Sequence, residues 1–217
     1  MSRVRLLRPA LLVPLVGLVA ILLVLTLVLA GESSKRKLPG GASAGRSNQF
    51  AGQVLTPRAA APTIDLDNYL GKRVTLAQYH GKPVLVTFLY THCPDVCPLI
   101  ATNLRAVQAR LGAAARGVQI IAVSVDPHGD TPKSVGNFLH VHDMTGRMQY
   151  LIGAAARLGP TWKAWNVGSQ QDESNPEFVA HSALIYGVSA SGKLTTIYPA
   201  NFKPAQIVHD VPLLART

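Results

Sequence analysis

Val84-Leu85-Val86-Thr87-Phe88-Leu89-Tyr90-Thr91-His92-Cys93-Pro94-Asp95-Val96-Cys97-Pro98 follows the turn Gly81-Lys82-Pro83 and carries both cysteines of the 217-residue chain. The first seven residues form a nearly unbroken apolar, β-branched and aromatic run, the pattern of a strand buried on both faces of a parallel sheet. The strand ends at Thr91-His92, and the cysteine loop leads directly into a segment in which Ile100, Leu104 and Val107 recur at helical spacing. The cysteines therefore sit at a strand-to-helix junction. There, unpaired backbone N–H groups and the positive end of the helix dipole favour thiolate over thiol, the form that binds metal or attacks a disulfide. Three residues between the cysteines give the pair a wider bite than two would.

Outward from this stretch, Val118 to Val125 reads as a second buried strand, so that strand, helix and strand make a right-handed βαβ unit. Asp130-Thr131-Pro132 opens a helix to about His140, with Asp130 or Thr131 as cap and Pro132 in the first turn. Gln149 to Ile152 is a short strand, and Gly153 to Trp165 a helical stretch interrupted at Gly159-Pro160. Gly168 to Glu177 reads as an exposed loop. His181 to Val188 and Leu194 to Tyr198 are strands joined by Ser189-Ala190-Ser191-Gly192, and Pro204 to Leu214 is a closing helix. Ahead of the central strand, Thr63 to Leu66 and Arg73 to Leu76 form either a short hairpin around Gly71 or a loop.

Composition first suggests a greasy globular protein, at 48% apolar and 15% charged residues, but much of the excess lies at one end. Arg3, Arg5 and Arg8 precede Ala10 to Ala30, 21 residues without a charge. At ~1.5 Å per helical residue that run crosses a hydrocarbon layer of ~30 Å. Residues 1–31 therefore read as a membrane anchor or, if Val28-Leu29-Ala30 is a cleavage site, a signal peptide; the length of the run favours the anchor. The basic leader places the N-terminus in the cytoplasm and the rest of the chain outside it. Residues 32–49, rich in Gly, Ser, Ala, Lys and Arg, make a flexible linker. Residues 50–217 make one domain. Half of the formal net charge of +10 lies within residues 1–37, and no aromatic stripe accompanies the remainder. That argues against nucleic-acid binding and for a basic surface facing anionic lipid. Two cysteines four positions apart make no disulfide framework, and in an oxidising compartment they are a redox pair or metal ligands.

Two thiolates are soft donors suited to Cu(I), whereas Cu(II) needs a further donor, for which a neutral imidazole serves. Seven histidines are available: His80, His92, His128, His140, His142, His181 and His209. His92 adjoins Cys93, but neighbours on a strand point to opposite faces, which leaves it aside. His140, His142, Met144 and Met148 are soft and borderline donors, more simply read as a solvated helix end. Trp162 and Trp165, three apart on a helix, read as core.

Four segments resemble the Sco (SenC) family: TFLYTHCPDVCP (87–98), VSVDPHGDTP (123–132), TG (145–146) and HSALIYGVSASGKL (181–194). The resemblance covers roughly Phe50 to the C-terminus. It implies a thioredoxin-like α/β fold, a central, mainly parallel sheet flanked by helices, behind an N-terminal transmembrane helix. It also implies a copper-binding protein, Cu(I) and/or Cu(II), with Cys93, Cys97 and His181 as ligands. The implied partners are cytochrome c oxidase subunit II or another copper acceptor, with an upstream copper donor or thiol reductant. Asp95 and Asp126 match acidic positions of the family, where they either close a turn and a loop or orient a ligand. The family's acidic residue before the histidine is replaced by Ala180. Two other readings use the same residues: an extracytoplasmic thiol-disulfide oxidoreductase with Cys93 and Cys97 as its catalytic dithiol, and a redox or copper sensor.

Overall fold

The computed structural model describes residues 49–171, 179–181 and 183–217, with the side chains of 169–182 outside the description. The segments expected to be the anchor (1–31) and most of the linker (32–49) also lie outside it. Among the described residues, no helix is long and apolar enough to cross a membrane.

In chain order the strands are β1 (Gln53–Val54), β2 (Asp65–Asn68), β3 (Arg73–Thr75), β4 (Val84–Leu89), β5 (Gln119–Ser124), β6 (Gln149–Ile152), β7 (Ser169–Gln171), β8 (Val179–His181), β9 (Leu184–Val188) and β10 (Leu194–Pro199). The helices are α1 (Val96–Leu111), α2 (Pro132–Val141), α3 (Ala155–Ala164) and α4 (Pro204–Leu214). Eight strands form one sheet in the order β1-β10-β9-β4-β5-β6-β2-β3. All six residues of β4 are buried, as its unbroken apolar sequence requires of an inner strand.

The expectation of a mainly parallel sheet is corrected. Only β4–β5 and β5–β6 pair in parallel, whereas β1, β10, β9, β2 and β3 join antiparallel. The parallel strands are those linked by helical crossovers. Of the antiparallel pairs, β2–β3 and β9–β10 are hairpins, antiparallel by construction, while β1–β10, β2–β6 and β4–β9 join strands far apart in the chain. The helix expected to break at Gly159-Pro160 runs through it, with Leu158 and Thr161 buried and the Trp162 indole N–H donating to the Ser124 carbonyl at 2.8 Å. Packing outweighs the one hydrogen bond that Pro160 omits. The strand expected from His181 is divided: His181 ends β8, which pairs with β7 in a separate two-stranded sheet, and β9 starts at Leu184. β7 also occupies the start of the stretch read as loop.

Helix α1 buries Cys97, Ile100, Ala101, Leu104 and Val107, a stripe at helical spacing, and packs against α4. α2 begins with a reciprocal cap: Thr131 accepts the Ser134 N–H at 3.1 Å, and the Thr131 N–H donates to the Ser134 hydroxyl at 2.8 Å. Phe88, Trp165 and Tyr186 form an aromatic cluster, with ring centroids 6.0, 6.0 and 5.2 Å apart. Trp165 is thus a core residue as expected, Trp162 is half-buried and packs against the core, and Met144 and Met148 are buried as well.

The entry of the chain into the sheet is fixed by Asp210, which is fully buried on α4. Its carboxylate accepts the N–H groups of Ala51 and Gly52, both at 2.8 Å, and the Tyr198 hydroxyl at 2.7 Å. His209 Nδ1 lies 2.7 Å from the same group. Asp210→Ala removes the acceptor of the buried Tyr198 hydroxyl and of the part-buried N–H groups of Ala51 and Gly52. Each stranded group costs ~1–3 kcal/mol, so a loss of about 3 kcal/mol or more is expected in the free energy of chemical denaturation. A loss within ~0.5 kcal/mol, the range of ordinary surface substitutions, would contradict the assignment.

Candidate metal centre

The chain leaves β4 at Leu89 and enters α1 at Val96, and Cys93 lies in the turn between them while Cys97 lies in the helix's first turn. Their places, one before the helix and one inside it, make them unequal. Cys97 belongs to the apolar stripe of α1 and is completely buried, whereas Cys93, four residues earlier, sits at the mouth with 8% of its surface exposed. Both are thiols, not joined in a disulfide.

Asp95 is the N-cap residue of α1, but its side chain makes no capping bond. Cys93 Sγ takes that role, accepting the Cys97 backbone N–H at 3.3 Å, one of the N–H groups a helix start leaves unpaired. Cys93 is held well below the usual thiol range, chiefly because the Cys97 thiol donates to it, and further by the backbone N–H groups of Asp95 and Cys97. Burial opposes this shift but does not prevail. Cys97 is pushed the other way, first by donating to Cys93 and then by burial. The pair therefore shares one proton, carried by Cys97, with Cys93 as the thiolate and the more accessible of the two sulfurs. With limiting iodoacetamide at neutral pH, Cys93 should be alkylated at least about tenfold faster than Cys97. Its rate should persist on acidification well below the ordinary thiol range of about 8.5 and decline only as pH falls through the lowered Cys93 value, where the thiolate is lost. Equal labelling of the two cysteines, resolved by peptide mass spectrometry, would contradict this.

Beneath the pair lies a carboxylate that the sequence pattern casts only as a candidate cap. Asp130 is buried, and its oxygens accept the Thr91 N–H at 2.8 Å and the Tyr150 hydroxyl at 3.0 Å. Burial raises its pKa, and its charge contributes to raising that of Cys97. Tyr150 is fully buried and held protonated, first by burial and then by Asp130. The signal available in the sequence was the second acidic residue of Asp126-Pro127-His128-Gly129-Asp130, but nothing local indicated that Tyr150, twenty residues on, would meet it.

Asp126 is buried, and its carboxylate accepts the N–H groups of His128 and Gly129 at 3.1 and 2.9 Å, which closes the loop after β5. A Cβ at Gly129 would collide with that carboxylate and lie 2.8 Å from His92 Nδ1, so glycine is required for the close approach. His92, set aside by the sequence argument, is exposed, and its ring nitrogen lies with carboxylate oxygens of Asp126 and Asp130 in a group no wider than 4.8 Å. His181 ends β8 opposite Ser169, and its side chain lies outside the described residues. Of the other histidines, His142 stacks on Phe138 with centroids 4.6 Å apart, while His80, His128 and His140 are exposed. Burial of Met144 and Met148 removes them from any surface set with His140 and His142.

The arrangement supplies one thiolate and one thiol at a helix start, soft donors that suit Cu(I) once the second proton leaves, or a nucleophile backed by a proton-bearing partner. A family description, SCO1/SenC, matches residues 56–216. The chain is 29% identical over 172 residues to Protein SCO2 homolog, mitochondrial, of Bos taurus, covering 77% of this chain and 64% of that protein, so it spans under two thirds of the bovine protein's length. It is 37% identical over 134 residues to SCO1 protein homolog of Bacillus subtilis (strain 168), covering 60% of this chain and 69% of that one. Among solved structures it is similar to Bradyrhizobium japonicum ScoI with copper bound, at a TM-score of 0.63 and 30% identity, covering 71% of this chain and 98% of the other.

Proposed function

The chain belongs to the SCO1/SenC family, and from that premise and the geometry of the cysteine pair we propose that it is a copper-binding protein acting in cytochrome c oxidase assembly. In this reading copper is cargo, held by Cys93, Cys97 and His181. The observation that carries it is the pairing of a thiolate and a thiol within one turn at the start of α1, a donor set selective for soft metal. Buried Asp130, bonded to the Thr91 N–H and the Tyr150 hydroxyl, holds the start of the cysteine turn. The acceptor is subunit II of cytochrome c oxidase or another copper protein, and an upstream copper donor or thiol reductant recharges the pair. In this reading the uncharged run Ala10 to Ala30 behind three arginines is a membrane anchor and the domain acts outside the cytoplasm, a reading supported by the length of that run and the basic leader.

The inequality of the two thiols supports a second reading, a thiol-disulfide oxidoreductase that reduces the cysteines of a target so that another protein loads the metal. Cys93 would attack the target disulfide, and Cys97 would resolve the mixed disulfide. Both readings require the chain for oxidase assembly. Cells deprived of it should lose most of their cytochrome c oxidase activity and recover it when the wild-type chain is returned, and unchanged activity would overturn both.

A further inference from the structure

At the opposite end of the parallel strands from the cysteines, where β5 and β6 begin, lies a polar cleft of about 710 Å³. Arg105 and Gln108 of α1, Arg116 and Gln119 before and within β5, and Arg147 and Gln149 at the start of β6 line it. Its charges do not cancel. Asp143 is the carboxylate that engages these arginines, through Nε of Arg105 and, at 3.9 Å, through Nε of Arg147. Arg116 has no ion-pair partner among the described residues. Because Asp143 is approached from the Nε side, the terminal amino groups of both guanidiniums are left for a ligand.

The cleft is also held in shape. Gln108 donates from Nε2 to the Arg147 carbonyl at 3.1 Å, and Asp143 occupies the left-handed region at φ 51°, a conformation uncommon outside glycine that aspartate tolerates better than most residues. The Gln149 side chain accepts from Asn68 at 2.8 Å through Oε1, which leaves its Nε2 as a donor. Neutralising the C-terminus of α1 does not require this cluster, since Arg110 already lies in its last turn.

We propose that this cleft binds a phosphate-class oxyanion, with Arg105, Arg116 and Arg147 as its principal donors. A tetrahedral oxyanion offers enough acceptors for several guanidinium forks at once, which lysines or a single arginine cannot match. The same chemistry is offered by a soluble phosphate compound and by the headgroups of an anionic bilayer. The site lies apart from the cysteines and does not depend on copper.

The test uses the full chain. In non-ionic detergent, inorganic phosphate should show 31P line broadening that weakens as ionic strength rises. Arg116→Gln with Arg147→Gln should weaken binding about tenfold for each guanidinium removed, while copper uptake stays at the wild-type level as a control for folding. The chain is then reconstituted in phosphatidylcholine vesicles with and without phosphatidylglycerol, and hydrogen exchange of residues 112–117 and 143–148 is followed. Slower exchange only with phosphatidylglycerol, lost in the double variant, upholds the site and assigns it to the bilayer. Broadening without that protection upholds it and assigns it to a soluble phosphate compound. Absence of both effects, or effects equal in the double variant, overturns the proposal.

Discussion

Cys93→Ser and Cys97→Ser should each abolish useful copper binding, with Cu(I) affinity falling by more than about a hundredfold. Disturbing a residue that only orients a metal ligand costs about 10–100-fold, so removing the ligand itself costs more. The two variants should fail differently. In Cys93→Ser the more accessible thiolate is gone and the remaining thiol is fully buried, so little reactivity should remain. In Cys97→Ser the Cys93 thiolate remains and the serine hydroxyl can still donate to it, whereas Cys97→Ala removes its strongest stabilising contact, so that variant's alkylation profile should shift toward that of an ordinary cysteine. Retention of wild-type Cu(I) affinity by either variant, measured against a competing chelator, would contradict the assignment.

His181→Ala separates the two functional readings. Cu(I) accepts two thiolates in near-linear coordination, so the variant should keep Cu(I) within about tenfold of wild type, whereas Cu(II), which favours added nitrogen and tetragonal geometry, should be lost by more than about a hundredfold. Thiol exchange requires only the cysteines. A copper carrier with this substitution should therefore fail to support oxidase assembly while its dithiol still reduces a model disulfide at a near-normal rate. A reductase should still support assembly. Full oxidase activity in cells carrying the variant as sole copy, with expression checked, would sink the copper-carrier reading and leave the reductase.

The sequence made the centre of the molecule legible for local reasons. Six consecutive buried residues in β4 leave no solvent face, and the spacing of Ile100, Leu104 and Val107 identifies α1. The same stripe extends back to Cys97, whose burial was therefore legible, whereas its inequality with Cys93 follows from α1 starting at Val96, which leaves Cys93 in the turn. The misread features depend on partners distant in the chain. The antiparallel majority of the sheet follows from pairings between strands far apart in the chain, such as Gln53 with Ile197 across 144 positions. The role of Asp130 depends on Tyr150 and on burial, and a loop aspartate ahead of Thr-Pro looks the same whether it caps a helix or lies under a cysteine pair. His92 was set aside by strand alternation, but β4 ends at Leu89, so the rule does not reach it. Pro160 signals a break only where no packing holds the helix, and here Trp162 and Leu158 do.

The most direct test of the central claim is the copper content of the full chain, purified anaerobically, loaded with Cu(I) against a competing chelator and measured by elemental analysis alongside a thiol count. Reduced protein with two titratable thiols should hold about one copper per chain. Protein oxidised to the Cys93–Cys97 disulfide should hold none, because both sulfurs are committed to each other and neither is a thiolate. Equal copper in the two forms, or none in the reduced one, would contradict the account.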